Sequence, residues 1–244
     1  MSAAVPADAA SPGGLQLAAV TAGYGGAPVL RDVSLQVPAS SAVALLGANG
    51  AGKTTAMKVA AGLLRADSGS VLIGGNDVSN VPTHKRARRG LCLIPEGRGI
   101  FRSLTVRENL ELQIPPWISD PDIGVAVDSF PILGKRLGQV AGSLSGGQQQ
   151  MLALCRAYLS RASVVLLDEL SLGLAPVVVD EIFESLAALR SGGVALLIVE
   201  QYVSRALLMA DTAYLLKRGE VAWHGPASEL DEQTMAASYL GSGA

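Results

Sequence analysis

The sequence predicts an α/β fold with a mostly parallel core sheet, an N-terminal antiparallel β region and an inserted helical subdomain. The first observation behind this is a set of short apolar runs, SAVALL (41–46), LCLI (91–94), SVVLLD (163–168), VALLIV (194–199) and TAYLLK (212–217), with helical patterns between most of them. Strands that are apolar on both sides and alternate with helices belong to a parallel sheet covered on both faces. The second is the turn-punctuated stretch from about Leu15 to Val37, where LQLAAV and VLRDVSLQV flank GYGGAP and read as antiparallel strands. The third is a break in rhythm from about Gly97 to Ser143, rich in polar residues and proline. A mainly helical subdomain is therefore expected at about 97–160.

Taken in order, residues 1–14 lack the cationic start and apolar stretch of a signal peptide and are expected to form a disordered tail. A single domain is expected over 15–240, with 241–244 as a second tail. After strand 41–46 comes GANGAGKT, and a helix is expected from there through Leu64. A last hairpin strand and a short helix are expected between Glu220 and Leu240. With 244 residues, 49% hydrophobic and 16% charged, the chain can bury a full core. A formal net charge of -2 gives no general pull toward nucleic acid, so none is expected as a partner. Cys92 and Cys155 show no CxxC or Cys/His clustering and read as buried free thiols in a reducing compartment. No apolar run reaches the roughly 18 to 20 residues that span a bilayer, and a chain soluble by itself, in the cytoplasm, is expected.

GANGAGKT, Gly47 to Thr54, fits the phosphate-loop pattern G-x-x-x-x-G-K-[ST] and stands between a strand and a helix, the context that pattern requires. Gly47, Asn49, Gly50, Ala51 and Gly52 would turn successive N–H groups toward phosphate oxygens. Lys53 would neutralise the β- and γ-phosphates, Thr54 would ligate Mg²⁺, and the helix dipole adds to the attraction. Asp168 ends an apolar strand, where a charged group is costly unless a cation or hydrogen bonds hold it, so it is a second metal-ligand candidate. Glu169 is placed to orient or deprotonate a water in line with the γ-phosphate.

By itself LSGGQ, Leu144 to Gln148, reads as a helix start with Ser145 as N-cap, the helix running through Leu159. With GANGAGKT before it and LLDE after it, the sequence resembles the ATP-binding subunits of ABC transporters over roughly Leu15 to Leu240. The resemblance implies a P-loop NTPase of ABC ATPase type that takes ATP and Mg²⁺ and works as a head-to-tail dimer. In such a dimer Ser145, Gly146, Gly147 and Gln148 serve ATP on a partner's phosphate loop. It also implies that Tyr24 stacks on adenine and that Thr55 adds a phosphate contact.

Some positions depart from the general family pattern. Glu96, in IPEGRGIF, stands where most members have a glutamine, Gln201 where most have a switch histidine, and Ala175 where an aspartate is usual. Gln201 hydrogen-bonds but does not take up a proton near neutral pH. Leu170 replaces the usual proline after the Asp-Glu pair, and a looser loop is expected there. Together with LTVRENL (104–110), SLGLAP, VEQ and a terminal YLG, these features are similar to the second of the two ATP-binding subunits of branched-chain amino acid importers. The resemblance implies an ATPase, with Glu169, Lys53 and Gln201 at the reacting phosphate, that drives uptake of branched-chain or related amino acids. The implied partners are a sister ATP-binding subunit in a heterodimer, two membrane permease subunits and an extracytoplasmic solute-binding protein. The implied location is the cytoplasmic face of the membrane. Weak or absent hydrolysis at this chain's own site, or another small solute such as urea or amides, are the alternatives.

Overall fold

Alternation of burial sets the first sheet. In β1 (Leu15–Tyr24) the side chains of Leu15, Leu17, Val20 and Ala22 are buried. The chain turns at Gly25 and Gly26, whose φ of 60° and 86° favour residues without a Cβ, and returns antiparallel as β2 (Ala27–Val37). The computed structural model describes residues 14–171, 173–200 and 203–230. The predicted tail segments at 1–13 and 241–244, the predicted helix beyond Leu230, the YLG motif and Gln201 lie outside the described residues.

After β3 (Ala42–Leu46) and α1 (Lys53–Ala61) the chain adds β4 (Ser68–Ile73) and β5 (Asn76–Asp77). These extend the first sheet to the order β2-β1-β4-β5. A short helix, α2 (Thr83–Arg88), follows. None of these three later elements is expected from the sequence. The run SGSVLIGGND is short and glycine-rich, and its pairing partner β1 lies far upstream. The α1 helix ends before the expected Leu64. Gly62 takes φ 75°, Leu63 N–H donates to the Lys58 carbonyl at 2.8 Å, and the buried Arg86 guanidinium caps the carbonyls of Val59 and Ala60 at 2.7 and 2.8 Å.

The second sheet is six-stranded. It adds β6 (Leu91–Ile94), β7 (Val164–Asp168), β8 (Ala195–Val199), β9 (Thr212–Lys217) and β10 (Glu220–Pro226), in the order β10-β9-β3-β8-β7-β6. All neighbours pair in parallel except β10, which runs antiparallel to β9. Period-two pleating divides its apolar residues between two cores. Val43, Leu45, Val164, Leu166 and Leu197 face the first sheet and α1, while Ala44, Leu46, Val165, Leu167 and Ile198 join the helical side.

That helical side consists of α3 (Val106–Gln113), α4 (Gly124–Ser129), α5 (Pro131–Gly134), α6 (Gly146–Leu159), α7 (Pro176–Ser191) and α8 (Val203–Met209). Two of these start with reciprocal capping boxes, Thr105 with Glu108 for α3 and Ser145 with Gln148 for α6. Cys92 and Cys155 are buried free thiols, and burial pushes Cys92 up to about 11 and raises Cys155 as well. No helix among the described residues is long and apolar enough to cross a membrane.

Candidate functional site

The loop between β3 and α1 needs glycine at both ends. A Cβ on Gly47 would meet the Leu216 carbonyl oxygen at 2.4 Å, and Gly52 sits at φ 109° with Leu30 closing the space beside it. Gly52 is the N-cap of α1, so the loop ends at the helix N-terminus, a place that favours anions. Lys53, the first residue of α1, is buried, and its Nζ donates to the carbonyls of Gly47 at 2.7 Å and Ala48 at 3.2 Å. Burial holds the ammonium below its ordinary value, against the pull of Glu169 and Asp168.

A cavity of about 390 Å³ opens over this loop, lined by Val29, Asn49, Gly50, Gly52, Lys53, Thr54, Thr55, Glu96 and Glu169. Three separate strand ends therefore converge on one pocket: β3 supplies the loop, β6 leads to Glu96 and β7 leads to Glu169. Ligands of open parallel sheets bind at this carboxyl end of the strands.

Asp168 is 5% exposed, and its Oδ1 has no hydrogen-bond partner among the described residues. Burial raises its carboxyl above the usual range; nearby Glu169 and Glu96 push the same way, and a Thr54 hydrogen bond and Lys53 oppose them. A buried carboxylate oxygen left unsatisfied beside a threonine hydroxyl is the donor set of a hard cation. Among the described residues no three His, Cys, Asp or Glu side chains are close enough to hold a metal by themselves. Thr54 and Asp168 thus suit Mg²⁺, which keeps water and phosphate oxygens in its shell.

Glu169 follows immediately and is not extended. It adopts φ 50°, a left-handed conformation unusual for a residue with a side chain, and its N–H donates to the Val199 carbonyl at 2.9 Å. The turn aims consecutive carboxylates differently, with Asp168 held beside Thr54 and Glu169 lining the cavity.

The remaining expected residues are distributed around this pocket. Gly47 and Ala51 shape the loop without lining the cavity, and Ala51 is buried behind it. Tyr24 ends β1 half exposed, with Lys58 Nζ 5.8 Å from its ring centroid, beside α1 and outside the cavity lining. Ser145, Gly146, Gly147 and Gln148 form the first turn of α6, and none lines the cavity. Within this chain the signature is instead packed against two neighbours. A Cβ on Gly147 would meet Val178 Cγ1 at 2.3 Å, and one on Gly146 would lie 3.2 Å from Arg98. Arg98 in turn donates to Gln149 Oε1 at 2.5 Å, linking the loop that carries Glu96 to the signature helix. Ala175 is the N-cap of α7 and contributes no side-chain cap.

Leu170, where a looser loop is expected, has its side chain 1% exposed within the core on the helical side. Sequence reasoning also missed Val29, brought to the cavity by β2, and the buried contact between Ser171 and Glu200, 29 residues apart. Neither carries a local pattern that could have revealed it.

Residues 30–171 match the family described as ABC transporter. The chain is 40% identical over 224 residues to the high-affinity branched-chain amino acid transport ATP-binding protein BraG of Pseudomonas aeruginosa, covering 89% of this chain and 95% of that protein. It is 38% identical to the probable branched-chain amino acid transport ATP-binding protein LivF of Archaeoglobus fulgidus, with 89% and 94% covered. A solved structure of an ATP-binding subunit of an ABC transporter superposes with a TM-score of 0.78 at 27% identity, over 87% of this chain and 89% of that one.

Proposed function

The chain belongs to the ABC transporter family of ATPases, and from that membership we propose that it powers an importer of branched-chain or related amino acids. The observation that carries the reading is the buried Asp168, with its Oδ1 unpartnered among the described residues, beside the cavity that Lys53, Thr54 and Glu169 line. The names of BraG and LivF support the solute class.

In this reading the backbone N–H groups of Asn49, Gly50 and Gly52 bind the phosphates of ATP, and Lys53 neutralises the β- and γ-phosphates. Mg²⁺ held by Thr54 and Asp168 would offset the charge of the phosphate oxygens. Glu169 orients a water and accepts its proton as the water attacks the γ-phosphate. Glu96 contributes a third carboxylate where a neutral amide is usual in the family, and so sets the charge facing ATP. Tyr24 stacks on adenine, Thr55 adds a phosphate contact, and Gln201 stands at the switch position.

The signature residues Ser145 to Gln148, lying away from this cavity, act on ATP bound by a sister subunit in a heterodimer. Two permease subunits and an extracytoplasmic solute-binding protein complete the transporter, with this chain at the cytoplasmic face of the membrane. Glu96 and the helical insert form the side that faces the permeases.

The test is uptake of labelled leucine into proteoliposomes by the assembled complex. ATP-dependent uptake that Glu169→Gln abolishes supports the reading, and uptake of urea or amides but no amino acid overturns the solute assignment. Glu96 and Ala175 favour a second reading, in which this subunit binds ATP and its sister hydrolyses most of it. Glu169→Gln would then leave uptake intact.

A further inference from the structure

Glu200 directly follows β8 and is only 3% exposed. Its carboxylate accepts the Ser171 N–H at 3.0 Å and the Ser171 hydroxyl at 2.5 Å, and Ser171 is itself 1% exposed. Burying a carboxylate is costly, and this one lies at the same sheet end as Asp168 and Glu169, where further negative charge is unwelcome. A neutral side chain of similar size would pack there at lower electrostatic cost.

The backbone shows what the contact secures. Strands β7 and β8 are in register at Asp168 and Val199. One residue on, Glu169 turns left-handed at φ 50° and its N–H is held by the Val199 carbonyl. Leu170 is buried, and the next residue is Ser171, held by Glu200 through both backbone and side chain. A conformation that costs of order 1–3 kcal/mol persists only where its surroundings over-determine it. Here the adjacent residues of one strand end, Val199 and Glu200, clamp the chain at Glu169 and again two residues later.

We propose that Glu200 is a positioning residue for ATP hydrolysis: by holding Ser171 it fixes the left-handed turn that aims the Glu169 carboxylate into the cavity. The proposal rests on the reading of Glu169 as the group that orients the attacking water.

The test compares Glu200→Ala, Glu200→Gln, Ser171→Ala, the Glu200→Ala/Ser171→Ala double variant and Glu169→Gln in the assembled transporter, measuring kcat, KM and the Kd of ATP. Misplacing a reacting group by about 1 Å can cost on the order of 100-fold in rate. Glu200→Ala is therefore expected to lower kcat by about 10- to 100-fold, with KM and Kd within about twofold of the parent. Glu200→Gln keeps an acceptor for the Ser171 N–H and should recover a good part of kcat. The double variant should be no worse than Glu200→Ala alone, since both changes cut one contact. Unchanged kcat in Glu200→Ala, a parallel loss of ATP binding, or additive losses in the double variant would overturn the proposal. Should Glu200→Ala fail to fold, Glu200→Gln and Ser171→Ala decide by the same split between kcat and Kd. If Glu169→Gln abolishes turnover while Glu200→Ala and Ser171→Ala keep the kcat of the parent, only the positioning role falls; full turnover in Glu169→Gln removes the underlying reading of Glu169.

Discussion

The Lys53 ammonium donates to the Gly47 carbonyl at 2.7 Å, so the phosphate loop is closed by its own cation. The ammonium has three donors, and its contacts to Gly47 and Ala48 leave one for a phosphate oxygen. Lys53→Ala removes that cation and is expected to weaken ATP binding by about tenfold or more, since charge-assisted bonds are the stronger kind. The melting temperature of the nucleotide-free protein should move by only a few degrees, because the lost bonds are offset by removal of a cation that burial disfavours. Calorimetric titration with ATP and a thermal melt check both parts.

Asp168 gives a prediction with a sign. Its carboxyl is raised above the ordinary value, so the folded protein holds a proton more readily than the unfolded chain. The cost of the buried carboxylate is therefore fully present above the raised value and disappears as pH falls below the ordinary carboxylate range. Asp168→Asn should raise the melting temperature of the nucleotide-free protein near pH 7 by about 2–6 °C. That gap over the parent should narrow as the buffer is made more acidic, and Mg²⁺-dependent ATP hydrolysis should be lost at every pH.

Glu96 lines the cavity and helps raise the Asp168 carboxyl, which places its negative charge within electrostatic reach of bound phosphates. Removing it in Glu96→Gln is expected to tighten ATP binding about 2- to 10-fold at low salt, with the gain shrinking as ionic strength rises. Titrations at two salt concentrations measure this.

That the 47–54 loop, Asp168 and Glu169 stand at strand ends was legible in the sequence, because each is a contiguous pattern set against an apolar strand, and the structure brings the loop and Glu169 to one cavity. The parallel strands were legible for the same reason, since residues buried on both faces leave unbroken apolar runs. What escaped depends on contacts between distant segments. Strand β4 is short and glycine-rich and is stabilised by pairing with β1, while Arg86 ends α1 from a helix beyond it. The burial of Leu170 likewise cannot be seen locally. The Ser171–Glu200 contact joins two strand ends whose adjacency follows from the strand order.

Gly147 carries a structural demand of its own, because a Cβ there would meet Val178 Cγ1 at 2.3 Å. Gly147→Ala is expected to destabilise the chain by about 1–3 kcal/mol, the usual range for overpacking. Adding Val178→Ala should restore most of that stability in a denaturant titration. ATP binding to this chain's own phosphate loop should be unaffected in both variants.

Hydrolysis of ATP with Mg²⁺ by the assembled transporter, measured with the parent chain and with Glu169→Gln, tests the central claim most directly. The predicted result is that Glu169→Gln binds ATP as tightly as the parent and loses at least about 100-fold in turnover, on the scale of other groups that act only in the transition state. Equal turnover by parent and variant would contradict it.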